Sequence, residues 1–241
     1  MRTLVIGDIH SGLRALEQVM ARAGVSTRDQ LIFLGDYVDG WSQAVETVDF
    51  LLGLQATHNC IFIRGNHDEL CHDWLFEGRD NPLWVQHGGQ ATMQSYAKAD
   101  GATIRSHITF YQSLKNYYLD TEKKLFLHAG FTNLHGVEHE YLEKTFYWDR
   151  TLWELSLSLN PDLAPVDIRY PRRLIHYDEI YIGHTPVTRI GKTTPQKAAN
   201  VWNIDTGAAF KGPLSIIDVA TKEVWQSDPV HLLYPGETGR N

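Results

Sequence analysis

The chain has 241 residues, of which 43% are apolar and 21% are charged, and this suits one globular domain with a single large core. Its formal net charge of −7 disfavours a general nucleic-acid binder, because phosphate backbones select basic surfaces. The sequence has neither a signal-peptide core nor a membrane-length apolar run, so we expect a cytoplasmic protein with no membrane partner.

The first part of the chain alternates short apolar runs with helical patterns. Strands are predicted at residues 3–6, 31–34 and 60–63. Between them, apolar residues recur at helical spacing, first over 13–20 and then over 45–52. This alternation is typical of parallel strands that are joined by right-handed helical crossovers.

The middle of the chain is predicted to be mainly helical. Glycine and proline interrupt a helical insertion at about 69–114, and two short strands follow at 117–119 and 125–127. The segment at about 137–178 begins with aromatic-rich, partly helical residues and continues into a proline-punctuated loop. We expect this segment to form a rim around the site.

The last part of the chain is richer in strands, and residues from 235 onward are expected to form a loose tail. The predicted strands are 180–182, 201–204, 214–217 and 223–225. Together the elements predict an α/β fold, α+β in part, in which two mixed β-sheets pack as a sandwich flanked by helices. One continuous mixed sheet is the alternative. Residues 1–241 are expected to form one domain.

Five of the predicted strands end in side chains that can bind a metal ion, usually beside a glycine. The blocks are Gly7-Asp8-Ile9-His10, Gly35-Asp36-Tyr37-Val38-Asp39, Gly65-Asn66-His67-Asp68, His128-Ala129-Gly130 and Gly183-His184-Thr185-Pro186. Ligands bind beyond the carboxyl ends of strands in open sheets, so neighbouring ends would bring these side chains to one crevice. Each block alone is more often a plain turn or a buried side chain, and the prediction therefore depends on all five together.

The side chains in these blocks suit divalent ions such as Mn, Fe or Zn, which bind carboxylate, imidazole and amide groups. The predicted ligands are Asp8, His10, Asp36, Asn66, His128 and His184. Asp8 and His10 are two residues apart, so in extended backbone they would project to the same side. The carboxylate of Asp36 has two oxygens and can bridge two ions.

The ordered blocks resemble those of the calcineurin-like metallophosphoesterases over about residues 4–208. They are most similar to the serine/threonine protein phosphatases, including the phage-lambda type, although bacterial diadenosine tetraphosphate hydrolases share nearly the same blocks. The resemblance implies a four-layer αββα fold and two divalent metal ions, with Mn as the first choice and Fe or Zn as alternatives. It implies that Asp8 and His10 hold the first ion and that Asp36 bridges. Asn66, His128 and His184 would hold the second ion.

The resemblance also implies catalytic roles. A water or hydroxide between the ions would attack phosphorus, and His67 would protonate the leaving oxygen while Asp39 orients it. The alternative for His67 is a further metal ligand. Arg150 and Asn66 are expected to bind the substrate phosphate, since a guanidinium offers a two-pronged donor to phosphate oxygens. The alternative for Arg150 is a surface arginine.

One position departs from the family pattern. The protein phosphatases usually carry Arg-Gly after the second block, whereas this chain carries Gly40-Trp41. Losing a charge-assisted phosphate contact costs about 1.5–3 kcal/mol unless another group, such as Arg150 or Arg64, replaces it. Trp41 could instead stack on a nucleotide base.

The first expectation for function is hydrolysis of phosphomonoesters, with phosphoserine or phosphothreonine in proteins as the substrate class. The alternative is hydrolysis of a phosphoanhydride such as diadenosine tetraphosphate, which the Gly40-Trp41 pair fits somewhat better. The expected partner is thus a phosphorylated protein or a small phosphorylated molecule, and not a nucleic acid. The acidic balance disfavours a nuclease. The presence of every expected ligand disfavours a non-catalytic binding module.

Overall fold

Two mixed five-stranded sheets form the centre of the computed structural model, which describes residues 1–79 and 81–240. The strands are β1 (Thr3–Ile6), β2 (Gln30–Phe33), β3 (Asn59–Phe62), β4 (Tyr117–Leu119), β5 (Lys124–Leu127), β6 (Glu179–Ile182), β7 (Gln196–Ala198), β8 (Val201–Asn203), β9 (Ser215–Asp218) and β10 (Val224–Gln226). The helices are α1 (Leu13–Arg22), α2 (Ala44–Gln55), α3 (Asn66–Glu77), α4 (Pro82–Trp84), α5 (Gln90–Tyr96), α6 (Gly101–Ser113), α7 (Thr145–Trp148), α8 (Thr151–Ser158) and α9 (Val230–Leu233). None of the helices in these described ranges is long and apolar enough to cross a membrane.

The order of the strands differs between the two sheets. The first sheet runs β10-β9-β1-β2-β3, in which β1, β2 and β3 are parallel and β9 is antiparallel to β1. The second sheet runs β4-β5-β6-β8-β7, in which β5, β6 and β8 are parallel. The predicted sandwich of two mixed sheets is therefore confirmed, and the alternative of one continuous sheet is wrong.

The alternation of side chains along the strands produces the layers of the fold. In β1, Leu4 and Ile6 pack with α1 and α2 on the outer face of the first sheet. Val5, between them, points the other way and packs with Phe126 and Tyr181 of the second sheet. A third apolar cluster joins the outer face of the second sheet to α7 and α8. The order of layers is thus helix, sheet, sheet, helix.

The structure differs from the sequence-based expectation at four places. Strand β7 and helix α9 were not predicted, and α3 begins within the third ligand block, at Asn66. The expectation of a loose tail is wrong for residues 235–240. Glu237 accepts a hydrogen bond from Ser42 Oγ at 2.7 Å, and Arg240 N donates to Ala209 O at 2.9 Å. These contacts hold the segment against the body of the fold.

Candidate active site

The predicted ligands all lie at one edge of the sandwich, where parallel strands of both sheets end. They follow β1, β2, β3, β5 and β6, and none is more than 8% exposed: Asp8, His10, Asp36, Asn66, His128 and His184. A hydrogen bond joins the two sheets at this edge: His128 Nδ1 donates to Leu34 O at 2.8 Å. Residues from distant parts of the chain thus meet in one buried cluster.

The ligand atoms form two groups that share the carboxylate of Asp36. The first group is His10, Asp36 and His67, and the second is Asp36, His128 and His184. Within each group the ligand atoms lie within 4.8 Å of one another. Asn66 belongs to the second group, since its Oδ1 lies 2.9 Å from His184 Nδ1 and 3.2 Å from His128 Nε2. Two adjoining groups with a common carboxylate suit a pair of cations.

Asp8 lies beside the first group, and its environment fits a bound cation. Its Oδ2 accepts a hydrogen bond from the backbone of His184 at 3.0 Å and lies 4.0 Å from His10 Nε2. Its Oδ1 is buried and has no hydrogen-bond partner among the residues that the structure describes, which is costly unless a cation satisfies it. A side chain on Gly183 would collide with this oxygen, so the carboxylate needs a glycine there.

The buried charges around the cluster also favour a cation. Burial raises the pKa of Asp8 well above its usual value, and the neighbouring carboxylate of Asp205 raises it further. Burial would also raise the pKa of Asp36, but the charge of His128 lowers it well below its usual value. Conversely, burial opposes protonation of His128, yet Asp36 and Asp8 raise its pKa to about 10. The buried carboxylates of the cluster thus carry more negative charge than the neighbouring side chains neutralise.

Backbone carbonyls fix the orientation of two of the predicted ligand histidines. His10 Nδ1 lies 3.0 Å from the carbonyl oxygen of Asp39, and His128 Nδ1 lies 2.8 Å from that of Leu34. With Nδ1 donating, each ring turns its Nε2 toward Asp36 Oδ2, at 3.6 Å for His10 and 3.4 Å for His128. Such carbonyl partners set the tautomer that a metal ligand needs.

His67 and Asp39 form a buried pair next to the first group. His67 Nδ1 lies 2.6 Å from Asp39 Oδ2, while Trp84 Nε1 and Thr92 Oγ1 donate to the same carboxylate at 2.5 and 2.6 Å. The other ring nitrogen of His67 has no partner within the described part of the chain. The geometry fits the expected proton donor. It also leaves the alternative of a further ligand open, because His67 belongs to the first group.

The backbone at the strand ends adopts a conformation that side chains rarely take. Positive φ angles occur at His10 (53°), Asp36 (53°), Asp39 (71°) and His184 (67°). A residue in this left-handed backbone conformation destabilises the fold by on the order of 1–3 kcal/mol, and it occurs mainly where the surrounding structure enforces it. From the sequence, Asp8 and His10 were expected to project to the same side because the backbone between them would be extended. That reason is wrong, because both residues follow β1 and His10 is not extended.

Asp68 is a positioning residue that sequence reasoning did not identify. Its Oδ2 accepts hydrogen bonds from the backbone N–H groups of Asp36 and Gly65, and its Oδ1 accepts from Tyr37 N, each at 2.8 Å. The carboxylate therefore ties the loop after β2 to the start of α3. An acid in the first turn of a helix that follows a glycine was the available signal.

A cavity of about 680 Å³ opens onto the cluster. Its wall contains three aromatic residues and three arginines: Trp84, Trp148, Phe210, Arg150, Arg189 and Arg240. The Nε of Arg150 lies 3.3 Å from His184 Nε2. Trp41 is fully buried and stacks on Tyr234 with ring centroids 5.2 Å apart, so the idea that it stacks on a base is wrong. Arg64, which was a candidate to replace the phosphate contact missing at position 40, forms an ion pair with Glu69 at 2.6 Å.

Comparison with known proteins gives a family and several relatives. Residues 1–207 match the calcineurin-like phosphoesterase family. A bis(5'-nucleosyl)-tetraphosphatase PrpE (asymmetrical) from Anoxybacillus flavithermus is 26% identical over 228 residues, which cover 88% of each chain. A protein of the same name from a Geobacillus species is also 26% identical, over 229 residues and 89% of each chain.

Solved structures share the fold at lower identity. A candidate diadenosine tetraphosphatase is 15% identical with a TM-score of 0.64, and the match covers 93% of this chain and 92% of that one. A serine/threonine phosphatase from Saccharomyces cerevisiae is 16% identical with the same TM-score, covering 95% of this chain and 80% of that one. At these identities the likeness establishes the architecture alone.

Proposed function

The chain belongs to the calcineurin-like phosphoesterase family, and we propose that it hydrolyses a phosphoanhydride bond in a dinucleoside polyphosphate such as diadenosine tetraphosphate. One observation carries the proposal: three arginines that form no ion pair within the described residues share one cavity with aromatic rings beside the ligand cluster. The bis(5'-nucleosyl)-tetraphosphatase relatives support it. Phosphoserine or phosphothreonine hydrolysis, the first expectation from the sequence, remains the competing proposal with less support.

The arginines of the cavity suit a substrate with several phosphates. Within residues 1–79 and 81–240, none of Arg150, Arg189 and Arg240 forms an ion pair with a carboxylate. Burial lowers the pKa of Arg150, and the charges of Arg189 and Arg240 lower it further. Three guanidinium groups that repel one another are stabilised when a polyanion enters between them.

The aromatic residues of the cavity suit a nucleotide base. Trp148 is 44% exposed, and Phe210 is half-buried on the same wall. Stacking of a base on an aromatic side chain contributes about 1–3 kcal/mol and tolerates any base. The cavity volume lies within the range of about 300–1,000 Å³ that is usual for small-molecule sites.

The residues of the cluster fit the two divalent ions on which the family depends. When bound, such ions neutralise phosphate charge and lower the pKa of water toward neutrality. Asp8, His10, Asp36, Asn66, His128 and His184 would hold them. In the proposed reaction the oxygen of water loses a proton to solvent and bonds to phosphorus, and the bond from phosphorus to the bridging oxygen breaks with its electron pair going to that oxygen. His67 gives a proton to that leaving oxygen, while Asp39 holds the ring in position.

A substrate panel with Mn tests the proposal. Diadenosine tetraphosphate, a phosphoserine peptide and p-nitrophenyl phosphate are compared by kcat/KM, and the nucleotide products are separated by ion-exchange chromatography. We expect the dinucleotide to be the best substrate by at least about tenfold and to give ATP and AMP, as the relatives' names indicate. A higher kcat/KM for the phosphopeptide would overturn the proposal in favour of its competitor.

A variant of the cavity wall sharpens the same test. Trp148→Ala removes an exposed ring that packs edge-on to His184, and it should raise KM for the dinucleotide more than KM for p-nitrophenyl phosphate. Tyr141→Ala is the matched control, because this ring is 90% exposed and does not line the cavity. An equal rise in KM for both substrates would contradict base stacking on Trp148.

A further inference from the structure

We propose that Arg240 is a phosphate-binding residue of the active site. Residues 234–240 place its side chain in the space beside residue 40, which is a glycine and has no side chain to fill that space. The inference rests on the proposed function only in requiring that a phosphate group enters the cavity. It concerns a residue that lies outside the five ligand blocks and outside residues 1–207, which match the family.

Gly40 and Gly88, here called the glycine slot, make room for this arginine. Gly40 has a φ of 119° and Gly88 a φ of 111°, conformations that side chains rarely adopt. A β-carbon added to Gly40 would lie 3.4 Å from Cγ of Arg240, and one added to Gly88 would lie 3.1 Å from the same atom. The stem of Arg240 thus crosses the slot and occupies the space beside residue 40.

Residues 234–240 are docked firmly enough to hold a side chain in place. Tyr234 is buried and stacks on Trp41, whose Nε1 donates to Ala208 O at 2.8 Å. A β-carbon on Gly239 would lie 2.8 Å from the Trp41 ring, so the segment passes directly over this tryptophan. Trp41 therefore acts as the platform for the segment.

The head of Arg240 faces the cavity and lacks a protein partner for part of its donor set. Its Nε is buried and forms no hydrogen bond with residues 1–79 or 81–240, and its guanidinium carbon lies 5.5 Å from the centroid of the Phe210 ring. A buried, unsatisfied N–H of a charged group is costly, and phosphate oxygen is the acceptor that a guanidinium fits best. Within residues 1–79 and 81–240 the terminal nitrogens of the guanidinium also form no hydrogen bond, and these are the donors that a phosphate in the cavity can meet.

Arg240 and Arg150 stand beside different ligand groups. Arg150 contacts His184 of the second group, whereas the glycine slot adjoins His10 of the first, whose carbonyl oxygen would lie 3.3 Å from a β-carbon on Gly40. A phosphate bound at the junction of the groups would therefore meet one guanidinium from each side. Arg240 would thus replace the charge-assisted phosphate contact that is lost because residue 40 is a glycine.

The test measures phosphate affinity directly. Isothermal titration calorimetry with inorganic phosphate is run on the Mn-loaded protein, for the wild type, Arg240→Met and Arg240→Lys. Met keeps a stem in the glycine slot but removes the donors, and we expect its Kd for phosphate to rise about tenfold to a hundredfold. Arg240→Lys keeps the positive charge but cannot donate two parallel hydrogen bonds, so its Kd for phosphate should lie between those of the wild type and Arg240→Met. KM for p-nitrophenyl phosphate should rise in parallel.

The control is Arg169→Ala, which removes an arginine that pairs with Asp167 and does not line the cavity, and its phosphate Kd should not change. Manganese content and thermal unfolding verify that each variant is loaded and folded. An Arg240→Met protein with wild-type phosphate affinity would overturn the inference, and so would a wild type that binds no phosphate. A protein that binds phosphate through Arg240 but does not cleave the dinucleotide would refute the proposed function and leave this inference standing.

Discussion

His67 Nδ1 lies 2.6 Å from Asp39 Oδ2, in a pair from which solvent is almost wholly excluded. Trp84 and Thr92 donate to the same carboxylate, so three side chains, those of Asp39, Trp84 and Thr92, fix one imidazole ring. Because Nδ1 is committed to Asp39, the other ring nitrogen is left for chemistry in the cavity. The geometry therefore suits the proposed proton donor, and it also fits the alternative of a further metal ligand.

Asp39→Asn should lower kcat by about 10²- to 10⁴-fold, because the ring loses the carboxylate that orients it and stabilises its protonated form. The manganese content should stay at the wild-type value. Asp49→Asn is a matched control, since Asp49 Oδ1 pairs with His107 Nε2 at 3.0 Å outside the cavity. Its kcat should not change. Wild-type kcat in Asp39→Asn would argue against the positioning role.

His67→Asn distinguishes a proton donor from a metal ligand. If His67 protonates the leaving oxygen, metal binding persists and the loss of kcat is larger for a phosphoserine peptide than for p-nitrophenyl phosphate, whose leaving group needs less protonation. Manganese is measured by elemental analysis beside kcat for both substrates. Loss of one equivalent of manganese, with equal loss of kcat for both substrates, would instead assign His67 to the first ligand group.

The strand ends were predictable from the sequence because their signal is local. A short apolar run followed by Gly-Asp or His-Ala-Gly identifies both the strand and the side chain that it delivers. The same rule predicted the parallel strands β1, β2 and β3, whose ends the sheet brings together. Local patterns therefore predicted the residues that meet in the candidate metal site and much of the fold that positions them.

The contribution of residues 234–240 was not predictable, because it depends on contacts between distant parts of the chain. Glu237 meets Ser42 across 195 residues of sequence, and a polar, glycine-containing segment carries no periodic pattern of its own. Its docking depends on the buried ring of Trp41, for which the sequence offered base stacking only as an alternative to core packing. Positive φ at His10 and Asp36 was equally hidden, since tertiary packing imposes it.

The stability of the fold at the edge of α1 should depend on pH through Asp29. Hydrogen bonds from Arg2, at 2.7 and 3.2 Å, lower the pKa of Asp29 well below its usual 3.8, although burial opposes the shift. A lowered folded-state pKa adds stability above the unfolded value, and this stability is lost as pH falls through the folded value. Asp29→Asn should therefore cost about 1–3 kcal/mol at pH 7, and the difference should shrink below pH about 4.

Urea unfolding of the wild type and Asp29→Asn at pH 7 and at pH 3 measures this difference. Asp228→Asn serves as a control, because Asp228 pairs with Arg22 at 2.7 Å but is solvent-exposed, and its substitution should have a smaller effect. A difference between wild type and Asp29→Asn that is equally large at both pH values would contradict the role of the Arg2 pair.

Anomalous diffraction from crystals grown with manganese tests the central claim, that two cations share the carboxylate of Asp36. Two peaks are expected at the junction of the sheets, about 3.5–4 Å apart, one beside His10 and the other beside His128 and His184. A single peak, or manganese bound away from Asp36, would contradict a dinuclear site.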